Sequence, residues 1–300
     1  MTEAVYQTVR DTADSLPQRH RFSVSGVLNC LGVSKSGYYD WISRKPSARQ
    51  LRQERIKQQI LDIYEHNMRI YGAPKITEEL HRMGETVSER TVTKYMQELG
   101  IRACYTKPYT VTTISEDFTD RLHNILSRDF NPDRPDAVWC TDITYVWTKT
   151  GFVYLSCVMD LFSRRILAWE LSETLETKYV IKAIAKARIH GRGRFPRILH
   201  TDRGTQYTSA EYRTATEGTL HSYSRTGNPW DNACMESFHA LIKREWLDRF
   251  QIRDYAHAHR LIFEYIDAYY NTRRIHSHCG YLPPLTYENK YYLQLQQTAA

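Results

Sequence analysis

From Trp139 to Trp147 the chain alternates strictly, with Trp139, Thr141, Ile143, Tyr145 and Trp147 on one side and Cys140, Asp142, Thr144 and Val146 on the other. That is the period of a sheet strand. Residues 152–159 and 165–171 continue the pattern, and turn-forming positions at 149–151 and 160–163 make the three runs a meander. Helical spacing predicts a helix over 177–190, ending at Gly191. Pro196, Ile198 and Leu199 then lead a short buried strand into His200, Thr201 and Asp202. A helix near 209–217 and a strand over 220–223 follow. Met235, Phe238, Leu241, Ile242 and Trp246 recur at helical spacing after Asp231 and Asn232, either of which can cap that helix. A last long helix is expected over 255–271. Three antiparallel strands followed by alternating helices and strands predict a mixed α/β sheet whose acids converge at one edge.

The first hundred residues read as paired helices instead. Residues 24–31 and 34–42 form a short pair around Gly32, with Ser34 as the cap of the second. Tyr38, Tyr39 and Trp41 suit packing there. A long polar helix covers 49–66. Pro74 opens a helix to residue 83, Gly84 turns the chain, and Ser88 caps a second helix that ends at Leu99 before Gly100. Residues 103–135 carry few regular cues: 105–115 is rich in threonine and tyrosine, 120–127 suggests a partial helix, and 131–135 marks a turn.

Composition narrows the class. The 300 residues are 41% hydrophobic and 25% charged, with a formal charge of +7, which favours a polyanionic partner. Six cysteines, at 30, 104, 140, 157, 234 and 279, form no Cys-x-x-Cys pair, so neither a disulfide scaffold nor a zinc ribbon is indicated, and a reducing cytoplasm fits. No apolar run approaches the roughly 18 residues of a membrane span, and residues 1–21 hold no apolar signal core.

Three acids carry the candidate chemistry. Asp142 projects from mid-strand, Asp202 closes a buried strand, and Glu236 sits on the following helix. An ionised group in each setting is costly without a cation or partner. Together they suit a divalent-metal site of hard oxygen ligands, Mg²⁺ or Mn²⁺ rather than zinc. Two such ions serve phosphodiester cleavage and strand joining. Each acid taken alone also fits a cap or a salt bridge. His239 and Lys243 lie three and seven residues past Glu236, on nearly the same helix face. His276, His278 and Cys279 crowd together without a distant second pair, which suits structural or DNA-facing roles better than zinc.

The blocks around these acids, Trp139-Cys-Thr-Asp-Ile-Thr-Tyr145, Val158-Met-Asp-Leu-Phe-Ser-Arg164, His200-Thr-Asp-Arg-Gly-Thr-Gln-Tyr207, Ser224-Arg-Thr-Gly-Asn228, Asp231-Asn-Ala233 and Glu236-Ser-Phe238, together resemble the orfB transposases of insertion sequences. Their DDE catalytic core is similar to that of retroviral integrase. The tail from Tyr269 to Pro284 resembles that family's ending as well. The resemblance implies an RNase H-like sheet with flanking helices, preceded by an all-α helix-turn-helix region. Its expected parts are a DNA-binding region over 1–102, a linker over 103–135, a catalytic core over 136–250 and a helical tail over 251–300. It assigns the catalytic, metal-binding triad to Asp142, Asp202 and Glu236, with two Mg²⁺ or Mn²⁺ ions, and places Lys243 where a basic residue holds DNA ends. The implied activity is cleavage at the 3′ ends of an insertion sequence and strand transfer, with the element's terminal inverted repeats and target DNA as substrates. Implied partners are an orfA-type protein, present separately or as a frameshifted fusion, and further copies of the chain on DNA. The expected location is bacterial cytoplasm, at the nucleoid.

Further candidate DNA contacts are His239 on the Glu236 helix, Arg225 and Asn228 in the loop before it, Arg90 and Lys94 on the second helix of the later pair, and Arg273 and Arg274 in the tail. That loop reads equally as a cap for the helix it precedes. The interval between Asp202 and Glu236 holds 33 residues, about two short of the family pattern, and a helix trimmed by two residues turns its remaining face by about 200°. The shortfall falls between Tyr212 and Gly218. A hydrolytic nuclease with the same core and a catalytically impaired DNA-binding regulator therefore stay open as alternatives.

Overall fold

The computed structural model describes residues 2–16, 22–104, 122–191, 193 and 195–298. These divide into two units, Met1–Gln59 and Ile60–Ala300.

In the first unit, α1 (Thr2–Ser15), α2 (Val24–Cys30) and α3 (Lys35–Ser43) are followed by the start of α4 (Ala48–His66). Serine caps set where α2 and α3 begin: Ser23 Oγ accepts from Gly26 N at 3.2 Å and Ser34 Oγ from Gly37 N at 3.1 Å. Each satisfies an amide that the helix cannot. Tyr6, Val9, Leu28 and Tyr38 make the core. Trp41 packs on it, as the packing reading of these aromatics requires, whereas Tyr39 stays half exposed with its ring edge-on to Tyr38.

The second unit begins with the rest of α4, then α5 (Ala73–Arg82) and α6 (Glu89–Glu98). Pro74 stands in the first turn of α5, and Ser88 Oγ accepts from Thr91 N at 3.3 Å to start α6. Ser88→Ala is expected to destabilise α6 by about 1 kcal/mol, read as faster amide exchange confined to residues 89–98.

Strands β1 (Val138–Thr148), β2 (Gly151–Asp160) and β3 (Ile166–Ser172) form the expected antiparallel meander. α7 (Thr177–His190) crosses back, and β4 (Ile198–Thr201) inserts beside β1 rather than beside β3. The short helices α8 (Thr205–Thr208) and α9 (Ala210–Ala215) then lead to β5 (Leu220–Tyr223). The sheet order is β3-β2-β1-β4-β5, with β1, β4 and β5 parallel. This is the mixed, RNase H-like arrangement with helices against the sheet. Val180, Ala183, Ile184 and Ala187 of α7 pack on Trp139, Val158 and Leu199.

α10 (Ala233–Glu245) passes on the Asp142 side of β1, burying Met235, Phe238 and Ile242. α11 (Tyr255–Tyr265) runs on into a π-helical turn over Ile266–Tyr270, which buries both Tyr269 and Tyr270. Along the outer margin of β3, the Asn271 side chain accepts from Ile166 N and donates to Ile166 O, each at 2.9 Å. Tyr255 Oη donates to Leu171 O on the same strand. α12 (Pro284–Thr298) ends the described chain.

Helices α1 and α12 fall within the regions expected to be helical, 1–102 and 251–300, although neither is placed individually by the sequence. One expectation changes. Residues 122–127, the described part of the partial helix expected near 120–127, form bends and a turn. Leu126 is buried there and donates its amide to Ser222 Oγ at 2.9 Å, so tertiary contact rather than helix satisfies the backbone. The threonine- and tyrosine-rich stretch over 105–115 lies outside the described residues.

Candidate active site

Asp142 and Asp202 each lie two residues past the last β1–β4 partners, Cys140 and His200. Parallel strands about 4.8 Å apart therefore set the two carboxylates abreast. β4 ends at Thr201 while β1 continues to Thr148, so the acids stand in the notch where the central strand outruns its neighbour. The expected convergence at a sheet edge is thereby corrected. Because β4 pairs with the side of β1 left free by the meander, β1 becomes the central strand, and the acids stand in the middle of the sheet, beyond the carboxyl end of β4, where ligands of open α/β sheets gather.

Local chemistry aims each group. Asp202 Oδ1 accepts from Gly204 N at 2.9 Å, an Asx turn that holds the carboxylate at the strand end. A Cβ on Gly204 would approach that oxygen to 3.1 Å, which explains the glycine. Asp142 Oδ1 accepts from Ile143 N at 2.8 Å, and its Oδ2 lies 3.5 Å from His239 Nδ1. Glu236 projects from the first turn of α10. The acids feel one another: burial and then the Asp142 charge push the Asp202 carboxyl up to about 6, and the same two causes push Glu236 up to about 7. Carboxylates this crowded are suited to a compensating cation. The donor set is all hard oxygen, which fits Mg²⁺ or Mn²⁺. Among the described residues, no group of three or more His, Cys, Asp or Glu is drawn together tightly enough to hold an ion as it stands.

The shortened interval before Glu236 leaves the sheet intact. α9 stops at Ala215, Gly218 turns with φ of +92°, and β5 pairs with β4 over all four of its residues. The loop onward is internally tied. Asp231 is fully buried and accepts from Arg225 and Arg128, which hold its carboxyl well below the usual range. Asn228 Oδ1 accepts from Arg128 at 3.0 Å. Arg225 and Asn228, expected at DNA, thus brace the approach to α10, although half of the Arg225 side chain stays exposed. Neither Asp231 nor Asn232 caps α10 with its side chain.

Two expected DNA contacts are corrected. His239 is buried at 7% exposure, facing Asp142, because it lies on the helix face that also buries Met235, Phe238 and Ile242. Arg274 is buried at 5% and makes a bidentate pair with Glu245, at 2.8 and 2.6 Å. Its neighbour Arg273 is exposed and donates to His66. Arg90 and Lys94 lie on the exposed face of α6, with Lys94 3.7 Å from Glu98. Lys243 extends from the end of α10 to sit 4.2 Å above the centre of the Tyr145 ring. His276, His278 and Cys279 are structural: His278 Nε2 bonds Phe162 O and Cys279 Sγ donates to Ser163 O.

Sequence reasoning missed the supports of the site. Tyr207, fully buried, bonds Thr141 Oγ1 at 3.3 Å beneath the two aspartates. Arg203 ties Leu122, Ser224 and Thr226 to the end of β4. His200 sits between the hydroxyls of Ser222 and Ser224, and burial pushes its imidazole down to about 4. The contacts of His200 and Arg203 follow from the parallel pairing of β4 with β5, which sends no local signal in the sequence.

The sequence is similar to those of known proteins. Residues 132–229 and 217–284 match the integrase core domain, and residues 50–109 match an HTH-like domain. A putative transposase for insertion sequence element IS986/IS6110 of Mycobacterium tuberculosis is 35% identical over 89% of this chain and 99% of its own length. Transposase InsF for insertion sequence IS3A of Escherichia coli is 34% identical over 90% of this chain and 95% of its own. Among solved structures, the simian T-cell lymphotropic virus intasome matches with a TM-score of 0.44 at 15% identity, over 76% of this chain and 74% of that one.

Proposed function

The chain belongs to the insertion-sequence transposases built on an integrase core, and we propose that Asp142, Asp202 and Glu236 are the catalytic ligands of its polynucleotidyl transfer. It is a DNA transposase. The observation that carries the assignment is the register of β1 and β4, which sets Asp142 and Asp202 abreast with Glu236 close enough for Asp142 to raise its titration.

A pair of Mg²⁺ or Mn²⁺ ions held by these acids would activate the attacking water or 3′-hydroxyl and stabilise the leaving oxygen. Asp142 supplies oxygens from the middle of β1, Asp202 from the end of the adjacent β4, and Glu236 from the helix. His239 orients Asp142 from behind. Lys243 holds a non-bridging phosphate oxygen of the DNA end, and α6 presents Arg90 and Lys94 to the duplex as a recognition helix would. The work divides as a DNA-binding region over 1–102, a linker over 103–135, a core over 136–250 and a tail over 251–300. The protein acts as an oligomer on its element's ends beside an orfA-type partner, at the nucleoid of a bacterial cytoplasm.

Between the ordinary carboxylate range and values of about 6 and 7, native Asp202 and Glu236 hold protons that the unfolded chain has released. Metal-free stability therefore falls as pH rises through that window. Protons also compete with metal, so the Mn²⁺-induced rise in unfolding temperature is expected to be large at about pH 8 and small at about pH 5.5. An equal rise at both would remove these two acids from the site.

The lack of a preformed group of three such ligands among the described residues, with the short interval before Glu236, favours a second reading, a DNA-binding regulator with an impaired site. Mn²⁺ titration separates the two, since the regulator binds DNA without taking up metal at these residues. A gel assay for joined products distinguishes strand transfer from simple hydrolysis.

A further inference from the structure

Resting on the transposase reading of the site, we propose that Tyr145, Phe152 and Trp147 form a platform on which unpaired bases at the DNA end stack beside the three acids. These rings stand 59%, 48% and 63% exposed on one face of the sheet. Tyr145 meets Phe152 edge-on at 5.4 Å, and Trp147 meets it at 4.7 Å and 70°. The register places Trp147 directly opposite Phe152. The apolar cluster under α7 takes in Trp139 and Ile143 on this face and does not extend to the three rings. A contiguous aromatic row left in water marks a binding surface.

Position and charge select the occupant. Tyr145 follows Asp142 by three residues on β1, a rise of about 10 Å, and projects from the opposite face of the strand, so the row begins about three stacked nucleotides from Asp142, past the margin of β1 that β4 leaves open beyond Thr201. The Lys243 ammonium sits over the Tyr145 ring, where it can meet a phosphate while the rings meet a base. Nucleic acid offers both a π-face and an anion at that spacing, and a chain of net charge +7 suits it. An apolar protein surface would have to desolvate the ammonium further and offers it no anion. The platform would hold a base freed from its pair while the scissile strand enters the notch between the aspartates.

The test uses full-length protein carrying Asp202→Asn, so that binding is read without cleavage, and compares a forked duplex bearing single-stranded arms with the same duplex fully paired. Trp147→Ala and Tyr145→Ala are each expected to weaken binding of the fork by about tenfold and to leave the paired duplex nearly unchanged. Trp147→Tyr should retain most of the affinity for the fork, and 2-aminopurine in the arm should lose its stacking quench only in the alanine variants. Equal weakening on both duplexes, or none on either, overturns the platform. A fall in oligomer mass by sedimentation with fork binding unchanged would instead make the face a contact between copies, and also overturns it. None of these readouts needs turnover, so a protein that fails to cleave leaves the platform separately testable.

Discussion

Replacing Asp202 by Asn is expected to lower cleavage of the element's DNA ends on the order of 10³-fold or more, while raising the unfolding temperature of the metal-free protein at neutral to alkaline pH. Both effects come from one carboxylate. The amide keeps the size of the side chain, and its oxygen can still accept from Gly204 N, so the strand end keeps its turn. What disappears is a negative charge held beside Asp142 in a half-buried notch, the same charge whose burden lifts the native titration of Asp202 to about 6. Without metal, that charge works against folding. With metal, it is the ligand. Opposite signs in stability and activity are the signature of a functional acid, whereas an acid that merely capped β4 would lose stability and leave cleavage intact. Cleavage gels and thermal unfolding on the same preparations check this, and unchanged Mg²⁺-dependent cleavage would falsify the ligand assignment.

Arg274→Ala is expected to have the largest effect on stability, a loss of about 3–5 kcal/mol. Glu245 is buried at 4% exposure and accepts two hydrogen bonds from Arg274 and one from Tyr265 Oη at 2.6 Å. Removing the guanidinium leaves the carboxylate desolvated with one neutral donor. Lys75 softens the loss. Burial, and then the charge of Arg274, hold its ammonium down to about 7, so without Arg274 it can charge fully and partly answer Glu245. The loss should therefore sit toward the lower end of the range and grow in Lys75→Met/Arg274→Ala. Replacing both partners, as Glu245→Leu/Arg274→Met, should recover most of the stability. Chemical denaturation measures all three. A DNA-contact role for Arg274 makes the contrary forecast of weakened binding with unchanged unfolding.

How far the chain could be read in advance follows from what kind of signal each feature sends. The meander, α7, β4 and β5 announce themselves locally, through alternation, a glycine stop or a short apolar run, and they stand within a residue or two of expectation. Ser34 and Ser88 cap as their positions require. Strand order has no local signal. Nothing in residues 198–201 says that β4 pairs with β1, and that pairing is what sets Asp142 and Asp202 side by side. The corrected residues share this cause. Arg273 and Arg274 are identical neighbours in a basic cluster, and only Glu245, 29 residues upstream, decides which is buried. His239 lies on the predicted face of its helix, but helical spacing gives an angle and not the neighbour that covers it. α1 is mostly polar, with Tyr6 and Val9 as its only buried residues, and α12 buries only Pro284 and Glu288, so neither shows a broad apolar stripe.

Asn271 carries a consequence for handling the protein. With Ile166 N and O both engaged by one amide side chain, the outermost strand offers no free rung there to a strand from another molecule, and the Tyr255 hydroxyl occupies the Leu171 carbonyl further along. Asn271→Ala would reopen that rung. Concentrated solutions of the variant should turn cloudy and bind thioflavin well before secondary structure is lost, because neighbouring molecules would zip together edge to edge.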